Sequence, residues 1–199
     1  MRDKELSRPP HVLPSETART LMLRVREGDQ EAFRRLYEAY KRPILSYLFQ
    51  MTQNRTQSED LAHEVFLRVY RARERYEPSA KFTTWLWTIA RNCALDHLRK
   101  KKEDLSLDGF EGGEIFSDLE GVESSAEQLL MEQAHTQKLT EAMKSLSPIQ
   151  REAMSLRIFS ELSYQEIAET LGCTVPAVKS ALCRAKENLV AKLKEEERK

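Results

Sequence analysis

No stretch of this sequence is long and apolar enough to span a membrane, and the N-terminus has no apolar core behind its charges, so neither membrane insertion nor a signal peptide is expected. Cysteine is scarce. Cys93, Cys173 and Cys183 are odd in number and lack metal-site spacing, a pattern that excludes a disulfide framework and suits a reduced cytoplasm. No Ser/His/Asp set and no glycine-rich phosphate loop is present, which removes the usual grounds for an enzyme. Cys93 and His97 stand four apart on one helix, but two ligands do not close a zinc site and nothing nearby completes them. No metal and no other cofactor is expected. Strand-like alternation of useful length is also missing, which leaves an all-α chain.

Net charge is missing too, yet its distribution is uneven. The 199 residues hold 32 Lys and Arg against 32 Asp and Glu. Met1 to Lys102 carries 21 basic and 13 acidic residues, a balance of +8. Glu103 to Glu132 carries 10 acidic residues and no basic one. Gln133 to Lys199 carries 11 basic and 9 acidic residues. The overall neutrality hides a basic block, an acidic belt and a near-neutral block.

These blocks follow the expected organisation. Residues 1–16, with Pro9, Pro10 and Pro14, read as a flexible tail. Residues 17–102 form a helical unit, with a break at Gly28-Asp29, a new start allowed by Pro43, a polar loop from Asn54 to Ser58, a helix from Glu59 to about Tyr76, and a last helix from about Thr83 to Lys102. Residues 103–126 read as an acidic linker between the two units. Residues 127–199 form a second helical unit, in which Ser147-Pro148 starts a helix.

The sharpest local signal runs from Leu162 to Lys186. Ser163 and Glu166 have capping-box spacing, Gly172 supplies a turn residue that tolerates positive φ, and Thr174 caps a second helix with Pro176 in its first turn. Val175, Val178, Leu182, Ala185 and Leu189 make the apolar stripe. Pro176, Ser180, Cys183 and Glu187 then point outward, flanked by Ala177, Lys179 and Arg184. This is a helix-turn-helix, whose second helix enters a major groove; the plain alternative is two helices of a bundle.

A second constellation interleaves bases and aromatics. Arg68, Arg71, Arg73 and Arg75 crowd one helix end, Tyr76, Lys81, Phe82, Trp85 and Trp87 follow, and Arg91, Asn92, Asp96 and Arg99 share one side of the last helix. Cations meet phosphates and aromatic rings receive unstacked bases, so the surface suits DNA that is partly single-stranded. The competing reading makes the tryptophans core and the arginines a solvated face. It fits Trp85, which lies on the apolar stripe, better than Trp87 or Lys81.

Glu59-Asp60-Leu61-Ala62-His63-Glu64-Val65-Phe66-Leu67, Phe82-Thr83-Thr84-Trp85-Leu86-Trp87-Thr88-Ile89-Ala90-Arg91-Asn92 and Asp96-His97-Leu98-Arg99 resemble the core-binding and promoter-reading domain of bacterial extracytoplasmic-function sigma factors. Leu162-Ser163-Tyr164-Gln165-Glu166-Ile167-Ala168 and Val178-Lys179-Ser180 resemble the family's second DNA-reading domain. The resemblance implies two small helical domains, region 2 and region 4, and a non-enzymatic role in transcription initiation. It implies that Asp60, Leu61, Glu64 and Leu67 meet the clamp helices of RNA polymerase core. Tyr76, Lys81, Phe82, Trp87, Arg91, Asn92, Asp96 and Arg99 would bind the minus-10 element and its flipped base. Pro176, Ala177, Lys179, Ser180, Cys183 and Arg184 would read the minus-35 element. The partners implied are core polymerase, promoter DNA and an anti-sigma factor, and the acidic linker would run toward the RNA exit path as a nucleic-acid mimic.

Two departures bear on the minus-35 reading. Members often carry Arg after the Lys-Ser pair, where this chain has Ala181, and Gly at the turn where it has Pro176-Ala177. The rival function is a one-component helix-turn-helix regulator, which leaves the Phe82 to Arg99 block without a task and normally needs a dimer on two half-sites.

Overall fold

The computed structural model describes residues 13–78, 81–105 and 140–196, with the side chains of 103–105 and 196 left aside. Residues 1–12 and nearly all of the acidic linker lie outside the described residues; Ser15 and Glu16, expected in the tail, instead begin a helix. Every regular element among the described residues is helical: α1 (Ser15–Arg26), α2 (Gln30–Thr52), α3 (Arg55–Arg71), a 3₁₀ turn (Arg73–Arg75), α4 (Phe82–Leu105), a helical segment at 140–144, α5 (Pro148–Phe159), α6 (Tyr164–Leu171) and α7 (Val175–Glu196).

Helix α1 buries Ala18, Leu21, Met22 and Val25, one face at helical spacing. It stops before Gly28, whose φ of +93° is open to glycine at little cost. Asp29 then caps α2, accepting from the Ala32 N–H at 3.0 Å, while Arg24 holds its other oxygen at 2.6 Å. The Ala32 bond and then Arg24 hold the Asp29 carboxyl below its ordinary value.

Pro43 does not begin a new helix. It lies inside α2, which runs unbroken through it. An interior proline removes one hydrogen bond and crowds the preceding turn. Here the burial of Tyr40, Ile44, Tyr47 and Leu48 around it outweighs that cost. The expected polar loop at Asn54 to Ser58 is likewise the first turn of α3. Asn54 Oδ1 accepts the Gln57 N–H at 2.9 Å, and Ser58 is buried with its hydroxyl 2.8 Å from that of Thr52. Helix α3 ends at Arg71, short of the expected Tyr76.

One buried cluster joins α1 to α4 and runs on into Ala153, Leu156, Leu162, Ile167, Ala168, Leu171 and Val178. Helix α2 packs on α5, and α4 on α6. Among the described residues the main buried cluster is therefore shared by both helical units. A smaller cluster ties Ala142, Met143 and Leu146 to Ala185 and Leu189 of α7. Arg151 closes the end of that segment by donating to the carbonyls of Met143, Lys144 and Leu146 at 2.8–3.1 Å.

Replacing Asn54 with Ala should lower unfolding stability by about 1 kcal/mol, the usual worth of such a cap. A lower denaturant midpoint at unchanged slope is the expected result; an unchanged midpoint would show that the cap contributes nothing.

Candidate nucleic-acid interface

The aromatic group around the start of α4 is mostly interior. Tyr76, Phe82 and Trp87 are 2%, 1% and 1% exposed, so none offers an open ring to a base. Trp87 packs edge-on to Tyr47 with centroids 5.4 Å apart. Phe82 lies 5.6 Å from Tyr40 and 6.1 Å from Tyr76. Trp85 is the half-buried member, 5.0 Å from Tyr76 and 5.9 Å from Phe82. The expectation for the two tryptophans is thus reversed. The inward face of α4 is Thr83, Leu86, Trp87, Ala90 and Ala94, with Trp85 on its flank.

The polar members divide. Asn92 and Arg99 are exposed. Asp96 is tied to Arg68 at 3.3 Å, and Arg68 also binds Glu64 at 2.7 Å. Arg91 turns toward α5 and meets Glu152, Nε to Oε1, at 2.8 Å. Glu152 is 5% exposed and also receives the Tyr47 hydroxyl at 3.5 Å. Burial first, and the Glu152 charge second, push the Tyr47 phenol well above its ordinary value. Lys81 lies 3.1 Å from Glu166, the capping residue of α6. Burial pushes the Glu166 carboxyl up, but its bonds to Ser163 and Lys81 together outweigh this and leave it below the ordinary value.

On α3, Asp60 is exposed, Leu61 and Glu64 are half-buried, and Leu67 is 49% exposed. Leu67 edges a cleft of about 420 Å³ shared with Gln30, Phe33, Tyr37, His63, Phe66 and Tyr70. Tyr70 stands at the rim with Phe33 edge-on at 5.1 Å and the Arg73 guanidinium 4.2 Å above its ring. Phe33 and Tyr37 line this cleft although the sequence did not mark them as site residues. Their spacing of four, facing aromatic Phe66 and Tyr70, was the available signal.

The helix-turn-helix has the expected local chemistry. Ser163 accepts the Glu166 N–H at 3.3 Å, Glu166 accepts the Ser163 N–H at 2.8 Å, and Gly172 takes φ +65°. The Thr174 hydroxyl receives the Ala177 N–H at 3.4 Å. Pro176, Ala177, Lys179, Ser180, Cys183 and Arg184 are all exposed along α7, while Val178, Ala185 and Leu189 are buried. Cys183 donates to Glu187 at 3.4 Å, and that bond raises its thiol above the ordinary value. Cys93, by contrast, is buried, which pushes its thiol to about 11.

The model of Sigma-70 region 2 matches residues 36–103, and that of Sigma-70 region 4 matches residues 136–189. The ECF RNA polymerase sigma factor SigW of Bacillus subtilis is 33% identical over 177 residues, covering 86% of this chain and 94% of that protein. The chain belongs to the ECF sigma factors. The RNA polymerase sigma-H factor of Pseudomonas aeruginosa is 31% identical, over 88% of this sigma factor and 93% of the relative. The sigma-E factor of Escherichia coli is also 31% identical, over 86% and 91%. Two solved structures share the fold at TM-score 0.66. One is CnrH in complex with the cytosolic domain of CnrY, at 22% identity over 90% of this chain and 98% of that one. The other is RpoE in complex with the anti-sigma factor NepR from Bartonella quintana, at 24% identity over 81% and 96%. Helix α3 and all but the end of α4 fall in the region 2 match, and α5, α6 and most of α7 in the region 4 match. Helix α1 precedes the region 2 match but packs onto it.

The two tryptophans should separate on mutation. Trp87→Ala should cost about 3–5 kcal/mol of stability, as for a deleted core aromatic, whereas Trp85→Ala should cost clearly less. Denaturant unfolding of both variants checks this. Equal losses would contradict the division into core and flank.

Proposed function

We propose how this sigma factor divides its work among its surfaces. It binds core RNA polymerase, directs it to specific promoters and assists opening of the duplex. It acts in the cytoplasm and performs no catalysis of its own. The observation that carries the reading is the face of α7, where six adjacent candidate residues stand exposed on a capped helix held by buried Val178 and Ala185. Such a helix, fixed from behind and polar in front, suits the major groove of a minus-35 element. Asn92, Arg99, Lys81 and Arg91 are assigned to the minus-10 strand as phosphate and base contacts. The rim aromatic Trp85 replaces Trp87 as the stacking surface. Asp60, Leu61, Glu64 and Leu67, together with the cleft beside Leu67, are assigned to core polymerase. CnrH is solved with the cytosolic domain of CnrY and RpoE with the anti-sigma factor NepR, and an inhibitory partner of that kind is proposed for this chain as well.

Run-off transcription with purified core polymerase on a promoter library tests the function and returns the promoter words. A one-component regulator would instead shift duplex DNA alone and leave core polymerase unaltered.

Leu67→Asp should weaken core binding by about 2 kcal/mol or more, as for a central interface residue, with the unfolding midpoint nearly unchanged. A titration against core polymerase reads this, and wild-type affinity would remove the cleft from the account.

On α7, Arg184→Ala should lower use of all minus-35 variants alike and reduce the slope of log affinity against log salt by about one. Lys179→Ala should change the ranking of variants. If both mutants keep the wild-type ranking, neither residue reads bases.

A further inference from the structure

Two of the cations assigned to the minus-10 strand, Arg91 and Lys81, are already paired. Arg91, with its side chain 21% exposed, holds Glu152 at 2.8 Å, and Lys81 holds Glu166 at 3.1 Å. Both carboxylates come from region 4. Thr84 of α4 adds a hydroxyl 3.5 Å from Glu166, and Tyr47 of α2 adds one 3.5 Å from Glu152. Around these polar contacts the apolar cluster is continuous from Tyr47, Leu86 and Trp87 to Ala153, Leu156 and Ile167. A carboxylate oxygen on a guanidinium has the chemistry of a phosphate oxygen. The minus-35 face is different: Lys179, Ser180 and Arg184 remain exposed on α7.

We propose that the free sigma factor is self-closed, with Glu152 and Glu166 of region 4 standing on Arg91 and Lys81 where promoter phosphates would bind, and that Glu152 is the latch. Opening exchanges the Arg91–Glu152 pair for an Arg91–phosphate pair, so one charge-assisted contact replaces another while the apolar seam parts. The proposal rests on the reading that Arg91 and Lys81 meet the minus-10 strand. It makes the closed form selective, covering the strand-separating surface and leaving the duplex-reading surface free. The seam gives closure its strength, because apolar area is removed from water on both sides. The ion pair gives it register, because a buried charge left without its partner is penalised heavily.

A protein whose competent form is scarce binds with its affinity reduced by the competent fraction. If fewer than about one in ten molecules is open, releasing the latch raises affinity about tenfold or more. The test uses the full chain. Small-angle scattering reads its radius of gyration, and fluorescence anisotropy reads its binding to a labelled minus-10 single strand from a promoter recovered by run-off selection. Glu152→Gln should expand the free protein and tighten single-strand binding about tenfold or more, with minus-35 duplex binding unchanged. Tyr47→Phe should move both readouts the same way by less, and it carries the test if circular dichroism shows that Glu152→Gln loses helix. The exchange of charges in Arg91→Glu with Glu152→Arg should restore the compact radius that Glu152→Arg alone loses.

Wild-type radius and single-strand affinity in both Glu152→Gln and Tyr47→Phe would overturn the latch. Expansion without tighter binding would overturn the occlusion. Run-off with Arg91→Gln distinguishes the underlying reading. If promoter opening survives that change, the assignment of Arg91 to DNA fails. If it is lost while Glu152→Gln changes nothing, only the closed form fails.

Discussion

Helix α2 is the constraint on which the rest of the molecule depends. Tyr40 and Ile44 at its centre are fully buried, and from Tyr47 to Thr52 six consecutive residues are buried and so point to every side of the helix. A helical stretch with no solvent face must be covered all round, whereas the N-terminal half of α2 keeps Arg34, Arg35 and Glu38 exposed. Helices α1, α3, α4 and α5 supply that cover. The same burial explains how Pro43 is tolerated, since lateral packing holds a segment whose own hydrogen-bond ladder is incomplete. It also explains why the region 4 helices come to rest here. On the side of α2 carrying Tyr47, Trp87 of α4 packs on its ring and Glu152 of α5 meets its hydroxyl, with Ala153 and Leu156 in the same buried cluster.

Charge placement follows from that packing. Taking a carboxylate out of water is costly, and Glu152 is almost wholly removed from it. Arg91 and the Tyr47 hydroxyl compensate at one point on the seam, which fixes how the two regions meet and makes their closure depend on both charged partners. Arg68 has a related part within region 2. By holding Glu64 and Asp96 together it links the surface assigned to polymerase with the one assigned to DNA.

Features with short-range causes were legible in the sequence. The Ser163/Glu166 box, the Gly172 turn and the outward face of α7 depend on residues within one or two turns of each other, and they form where spacing places them. The all-helical class was legible for the same reason. Errors arose where a local signal had two meanings. Asn54 and Ser58 are polar enough for a loop, but Asn is also a strong helix cap and Ser58 bonds to Thr52 behind it. Trp85 and Trp87 differ by two positions on α4, so a modest error in helical phase exchanged core for flank. Phe82 read as a surface aromatic because Tyr40, which packs against it, lies far away in sequence on another helix, and Tyr76 is buried against Phe82 in turn. The seam between the regions was invisible for a stronger reason. Arg91 and Glu152 are 61 residues apart, and nothing local to either announces the other.

Glu166 does two jobs with one carboxylate. It closes the first turn of α6, and it reaches across to Lys81. Capping boxes accept Gln as well as Glu at this position, because the cap needs only an oxygen acceptor. The contact with Lys81 needs the charge. A single amide-for-acid exchange can therefore leave the helix-turn-helix intact while loosening the hold between regions. The position acts as a dial, through which a lineage of such proteins could set how readily it opens without redesigning the part that reads DNA.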